Sequence, residues 1–429
     1  VFIRVLQSTG FGGTMRAMAP DPSNPPTVIV GLEHIQAAAR RIASATVNTR
    51  FEKSLTLSAM IGTDICLKFE NLQFTASFKD RGALNKLLLL QAQGNRQGVI
   101  AMSAGNHAKS VAYHAQRLGI PATIVMPKNT PNVKVEDTRN FAARVILNGR
   151  NLDEAAAHAR EIAAQEQLVF VHPYNDGDII AGQGTVALEM LAAQPDLDTI
   201  VVPVGGGGLI AGVATAAKAL RPQIRIIGVE VEAYPSVHGA LHGHDRYTGG
   251  STIAEGIAVK QPGELNLQII RRLVDDVLIV KESTIEEAIN LYIAIEKTVS
   301  EGAGAASLAA ALENPALFAG QKTALIISGG NIDPRILASV LMRRLVSKGR
   351  IVRFLIEIDD APGTLSEVAA TIGEFGGNIL DVSHQRMFAS VPIKRADLYL
   401  TVETRDAAQN LDILAKLRER GYQAELLKD

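Results

Sequence analysis

The chain has no tryptophan and one cysteine, Cys66, in 429 residues. A lone cysteine excludes an internal disulfide and suits a reducing compartment. It lies in an apolar stretch and so reads as a core thiol rather than a nucleophile. No uninterrupted apolar run reaches about 18 residues, which argues against a membrane-spanning helix. Neither sign of charge is in excess, since 43 Lys and Arg stand against 44 Asp and Glu. No broad basic surface therefore invites nucleic acid or anionic lipid. With 47% hydrophobic residues, the length fits two or three domains with large cores. Together these features predict a cytoplasmic protein without nucleic-acid or membrane partners.

Residues 1–26 carry Gly12, Gly13, Pro20, Pro22, Pro25 and Pro26 without a helical period. They predict a disordered extension, with a weak targeting segment as the alternative and Met15 or Met18 as candidate natural first residues. From Gly31 apolar residues recur at helical spacing, and an α/β alternation follows. Strands are expected at 64–70, 98–103, 120–127, 143–149 and 168–174, with helices between the later ones. A second series is expected at 199–204, 224–232, 276–280 and 323–328, with a helix over 182–193. Strands separated by helical stretches imply parallel sheets with right-handed crossovers. After the basic stretch 347–350 the order becomes βαββαβ, that of a small ferredoxin-like module.

Six segments stand out, and open parallel sheets bind ligands beyond the carboxyl ends of their strands. SFKDRGA (77–83) places Lys79 beside Phe78 just past a strand, where an amine can bond an aldehyde cofactor; otherwise Lys79 is a solvated lysine at a helix start. VGGGGLIAG (204–212) opens a helix after a buried strand, as an anion cradle or a plain turn. SAGNHA (103–108) is another strand-to-helix turn, in which Asn106 and His107 either serve a ligand or cap the helix. ISGGNID (327–333) offers Ser328 at a strand end. SEGAGA (300–305) and TIAEGIAV (252–259) add Glu301, which faces a cofactor or stands exposed at a helix start, and Gly256, where a flat ring can approach the backbone.

KFENLQFTASFKDRGA, SAGNHA, VGGGGLIAG, TIAEGIAV and ISGGN, in that order, resemble the threonine ammonia-lyases of the pyridoxal-phosphate enzymes, tryptophan-synthase-β-like fold type II. The likeness runs through about 30–345. DDAPGTLSEVA (359–369), GGNILDVSHQR (376–386) and TVETR (401–405) resemble an ACT domain. The resemblance implies a catalytic domain over 27–346, with a small subdomain at roughly 70–175. A linker at 347–350 and an ACT regulatory domain at 351–429 would follow. Lys79 would carry pyridoxal 5'-phosphate. Phe78 and Gly256 would flank the ring, Asn106 would bond its hydroxyl, Ser328 would face its nitrogen, and Glu301 would lie nearby. Gly205, Gly206, Gly207, Gly208 and Leu209 would hold the phosphate. Ser103, Ala104, Gly105, Asn106 and His107 would bind the substrate carboxylate.

The implied reaction is elimination of water from L-threonine, and from L-serine, with release of ammonia and a keto acid. Serine racemases resemble this family but carry serine at the position of Ala104, so little racemisation is expected. Lys109 stands where the family usually has glutamine, and Ala76 where glycine is common. Some relatives bind a cation near the position of Glu230; Tyr234 and Ser236 replace further ligands, and no metal is expected. A homodimer or homotetramer is implied. An amino-acid effector at Gly363, Asn378 and Ile379 is the other implication, although PGTL and GGN also read as plain turns. The rivals are a serine or 3-hydroxyaspartate ammonia-lyase or racemase of the same fold, and an amino-acid-sensing regulator.

Overall fold

The computed structural model describes residues 30–243, 249–386, 392 and 394–427; the extension expected at 1–26 lies outside them. Two parallel sheets and one antiparallel sheet make up the α/β body and the C-terminal unit. The large sheet runs in the order Phe51–Lys53, Asp64–Lys68, Lys322–Ile326, Thr199–Pro203, Arg225–Val231, Asp276–Val280. Its strands are parallel except Phe51–Lys53, which pairs antiparallel at the edge. Every residue of Thr199–Pro203 is buried, as a strand covered on both faces must be. The small sheet runs Arg144–Leu147, Ala122–Met126, Val99–Met102, Val169–Phe170, all parallel.

This topology sets the site. Asp64–Lys68, Lys322–Ile326 and Thr199–Pro203 are parallel neighbours, so the turns leading to Lys79, Ser328 and Gly205 emerge on one side. In the small sheet, the turns after Val99–Met102 and Val169–Phe170 emerge together in the same way. The helices Lys79–Ala92 and Gly177–Ala193 cross without side chains between them: a Cβ at Gly182 would lie 2.6 Å from the Cα of Gly82. Beneath them, Arg81 is 1% exposed. Its guanidinium bonds both oxygens of Glu70 at 2.7 and 2.8 Å and both oxygens of Glu189 at 2.7 Å. Removing one partner of so enclosed a set strands a buried charge, at a cost of about 3–5 kcal/mol.

Two expected elements differ. The strand expected at 168–174 pairs only over Val169–Phe170, because the backbone then turns at His172–Asp176. The helix expected from 182 begins at Gly177, where the Asp176 carboxylate accepts from the N–H groups of Asp178 and Ile179.

The helix Pro334–Ser347 leads into the C-terminal unit, whose sheet runs Asn378–Gln385, Arg395–Glu403, Ile351–Asp359, Gln423–Leu427. All pairs are antiparallel, and the βαββαβ order is as expected. The Gly349 carbonyl accepts from Thr404 Oγ1 at 3.0 Å and Asn410 Nδ2 at 2.7 Å, fastening the connection to this unit. Among the described residues no helix is long and apolar enough to cross a membrane.

Candidate active site

Lys79 is the first residue of the helix Lys79–Ala92, but it is not a solvated helix-start lysine. The turn before it is tied to the strand end opposite: Phe78 N–H donates to Ser328 O at 3.1 Å, and Ser77 bridges to Gly329. The Lys79 amine lies 5.1 Å from the centre of the Phe78 ring and donates to Pro173 O at 2.7 Å. Burial lowers its pKa to about 8, against the opposing pull of the Glu301 charge. A sizeable fraction of this amine is therefore neutral near pH 7.5 and able to act as a nucleophile or base.

Asn106 and Glu301 come together although 195 residues separate them. Asn106 Nδ2 donates to Glu301 Oε1 at 2.8 Å, so its side chain does not cap its own helix, Asn106–Leu118. Burial raises the pKa of the Glu301 carboxyl to about 7, opposed by the Asn106 hydrogen bond. The carboxylate lies where side chains at Gly256 and Gly329 would stand, 3.1 and 2.5 Å from an added Cβ. Asn106, Gly256, Glu301 and the Ser328–Gly329 turn thus form one wall. Ser328 itself is buried.

The glycine loop forms the second wall. Gly207 has φ 91° and caps the helix Gly208–Leu220, whose first N–H groups have no intrahelical acceptor. A Cβ at Gly206 would lie 2.3 Å from the Tyr174 ring, and one at Gly205 would lie 3.0 Å from Ile257 Cα. The loop is thus packed tightly from behind, and Leu209 anchors it in the core. Asn266 Nδ2 donates to Gly206 O at 2.6 Å and to Tyr174 O at 3.2 Å. A cradle of backbone donors at a helix start, near an amine of lowered pKa, fits an aldehyde that carries a phosphate.

The Ser103–His107 turn lies at the mouth of the small sheet. Ser103 Oγ accepts from Gly105 N–H at 3.1 Å, and Ala104 is partly exposed. The His107 ring faces Val171 O at 3.0 Å, and burial lowers its pKa to about 3. Its side chain is thereby turned into the small subdomain. Glu230 is also committed: its carboxylate accepts from Val237 N–H and His238 N–H at 2.8 Å and from Ser236 Oγ at 3.3 Å. Among the described residues no group of three or more His, Cys, Asp or Glu is placed to hold a metal ion. Cys66 is buried, which raises its pKa.

Sequence reading missed the loop His172–Asp176 with its partner Asn266, and Asn331, which donates to Asn106 Oδ1. Pro173 holds Lys79, Tyr174 backs the glycine loop, and Asn175 Oδ1 accepts from Leu265 N–H at 3.1 Å. The available signal was a Pro/Asn/Asp turn cluster at the carboxyl end of a parallel strand. Gly363, Asn378 and Ile379 lie apart, in the C-terminal unit. There Gly363 has φ 97° with open space around it, Asn378 is exposed, and Ile379 packs against the unit's core.

Comparison with known proteins agrees with this geometry. Residues 42–329 match the family of pyridoxal-phosphate dependent enzymes. An L-threonine ammonia-lyase of Thermotoga maritima is 43% identical over 93% of this chain and 100% of its own length. A solved threonine deaminase from T.th. superposes with a TM-score of 0.67 at 40% identity, covering 71% of this chain and 99% of that one. Maize serine racemase gives 0.69 at 36% identity, covering 74% and 99%. An enclosed lysine, a glycine cradle and these likenesses agree: the chain belongs to the pyridoxal-phosphate dependent enzymes of fold type II, among the L-threonine ammonia-lyases.

Proposed function

We propose that the chain eliminates water from L-threonine to yield 2-oxobutanoate and ammonia, and converts L-serine to pyruvate by the same route. The observation that carries this reading is the Lys79 amine, its pKa lowered to about 8, held at Pro173 O beside the Tyr174 ring that backs the glycine cradle. The backbone of Gly205–Gly208 and the start of the helix Gly208–Leu220 would hold the phosphate of pyridoxal phosphate. Phe78, Asn106, Gly256, Glu301 and Ser328 would hold its ring. When bound, pyridoxal phosphate supplies an aldehyde for the substrate amine and a ring that draws electrons from Cα.

The protein's own part is binding and proton transfer. Lys79 takes the proton from substrate Cα as a general base. The turn at 103–107 and the start of the helix Asn106–Leu118 receive the substrate carboxylate through backbone N–H groups. Ala104 carries no proton to deliver to the other face of Cα, which favours elimination over racemisation. The C-terminal unit acts as an ACT module that takes an amino-acid effector near Gly363, Asn378 and Ile379, in a homodimer or homotetramer.

The test measures keto-acid release from threonine and from serine, with and without isoleucine, in the yellow protein. Release that stops after borohydride treatment supports the reading. A colourless protein that releases no keto acid from either substrate sinks it.

A further inference from the structure

Asn106 is an amide, and an amide in a ligand pocket can present either its N–H or its carbonyl. Which end it presents is settled by what holds it from behind. Asn331, on the turn after Lys322–Ile326, donates from Nδ2 to Asn106 Oδ1 at 2.8 Å and to Thr75 O at 2.7 Å. Asn331 Oδ1 in turn accepts from Lys109 Nζ at 3.3 Å. Lys109 lies one helical turn beyond Asn106, on the same face of the helix Asn106–Leu118. Its ammonium also donates to Asp137 Oδ2 at 2.7 Å, which holds it in place. The hydrogen bonds therefore run one way, from Lys109 to Asn331 to Asn106 to Glu301.

We infer that Lys109 is a positioning residue: acting through Asn331, it fixes the Asn106 amide so that an N–H, never a carbonyl, faces the bound ring. The inference rests on the reading of this cleft as a pyridoxal-phosphate site. An ammonium has three donors and no acceptor, so its end of the chain cannot reverse. The other end can. Glu301 has a pKa raised to about 7, and once protonated it can donate as well as accept. With a donor-only group at the far end, Asn106 keeps its direction in both states of Glu301. The ligand atom it meets must then be an acceptor, as the ring hydroxyl oxygen is in its ionised form.

The test uses the holoenzyme and two readings besides turnover: the absorbance maximum of bound pyridoxal phosphate and its dissociation constant. Lys109→Met is expected to move the band and to weaken cofactor binding about tenfold, as for one lost hydrogen bond to a charged group. Lys109→Arg, also donor-only, is expected to keep both values. Lys109→Gln, whose amide can donate or accept, is expected to fall between, and it carries the test if the methionine variant does not fold. Lys134→Met is the control, because Lys134 also joins the small subdomain to the opposite side, through Glu255 at 2.5 Å. It is expected to leave the band in place.

The inference is overturned if Lys109→Met keeps the wild-type band and affinity. It is equally overturned if the arginine variant or Lys134→Met shifts as far as Lys109→Met. Wild-type protein that takes up no pyridoxal phosphate would sink the functional reading instead.

Discussion

A methyl group added at Gly206, in the catalytic body, would meet the Tyr174 ring at 2.3 Å, whereas one added at Gly421, in the C-terminal unit, would meet nothing within 4 Å. Gly421 is glycine for its backbone, which turns at φ 90° between a helix and the last strand. Gly206 is glycine for want of room. The same letter thus marks a reversal in one region and an enclosed cradle in the other. The wider contrast follows: the body takes its polar groups out of solvent, wholly at Arg81 and in part at Lys79 and Glu301, while the strand Asn378–Gln385 of the C-terminal unit leaves most of its residues exposed. Chemistry that needs shifted pKa values belongs in the first kind of region.

The largest effect that can test this contrast is at the enclosed amine. Lys79→Ala should lower kcat for keto-acid release by about 10³-fold or more and leave a colourless protein; a rate close to wild type would show that the base lies elsewhere. Next comes pH. A neutral amine captures an aldehyde and a protonated one does not, and the Lys79 pKa is displaced downward to about 8. Capture of pyridoxal phosphate by apoprotein should therefore slow about tenfold for each unit below pH 8 and level off above it. A rate still climbing steeply toward pH 10 would mean that the amine is solvated.

Gly206→Ala must displace the Tyr174 ring, and should cost about 1–3 kcal/mol in urea denaturation together with weaker cofactor retention. The smallest effect belongs to the open region. Gly421→Ala should cost about 1–2 kcal/mol through its left-handed backbone alone, with keto-acid release per bound cofactor unchanged. If the two glycine variants lost cofactor equally, the distinction between room and dihedral would fail.

Much of the fold was legible because it is local. The apolar run at 199–204 has no polar face, which only a doubly covered strand explains. The positions of the glycine loop and Ser328 were legible for a related reason, since each follows such a strand directly, whereas Lys79 comes after the strand Asp64–Lys68 and the turn Glu70–Leu72. What escaped was non-local. Pro173 meets Lys79 across 94 residues, Asn266 meets Gly206 across 60, and Asn331 meets Asn106 across 225. No periodicity marks these pairs. The helix start at Gly177 escaped for the opposite reason. Gly177, Gly182 and Gly184 lower helix propensity, yet Gly182 is what lets this helix lie directly on Gly82. The direction of the His107 ring, toward Val171 O, also escaped, because residue type says nothing about which way a ring turns.

The wide spacing of these partners bears on how a newly made chain becomes an enzyme. During synthesis the lysine leaves the ribosome long before Pro173, and Asn106 waits a further 225 residues for Asn331. Until then a nascent chain has a fully charged amine and an untethered amide, and so reacts poorly with vitamin or metabolite aldehydes. Uptake of the coenzyme therefore reports a finished body, and the onset of colour can serve as a clock for its folding.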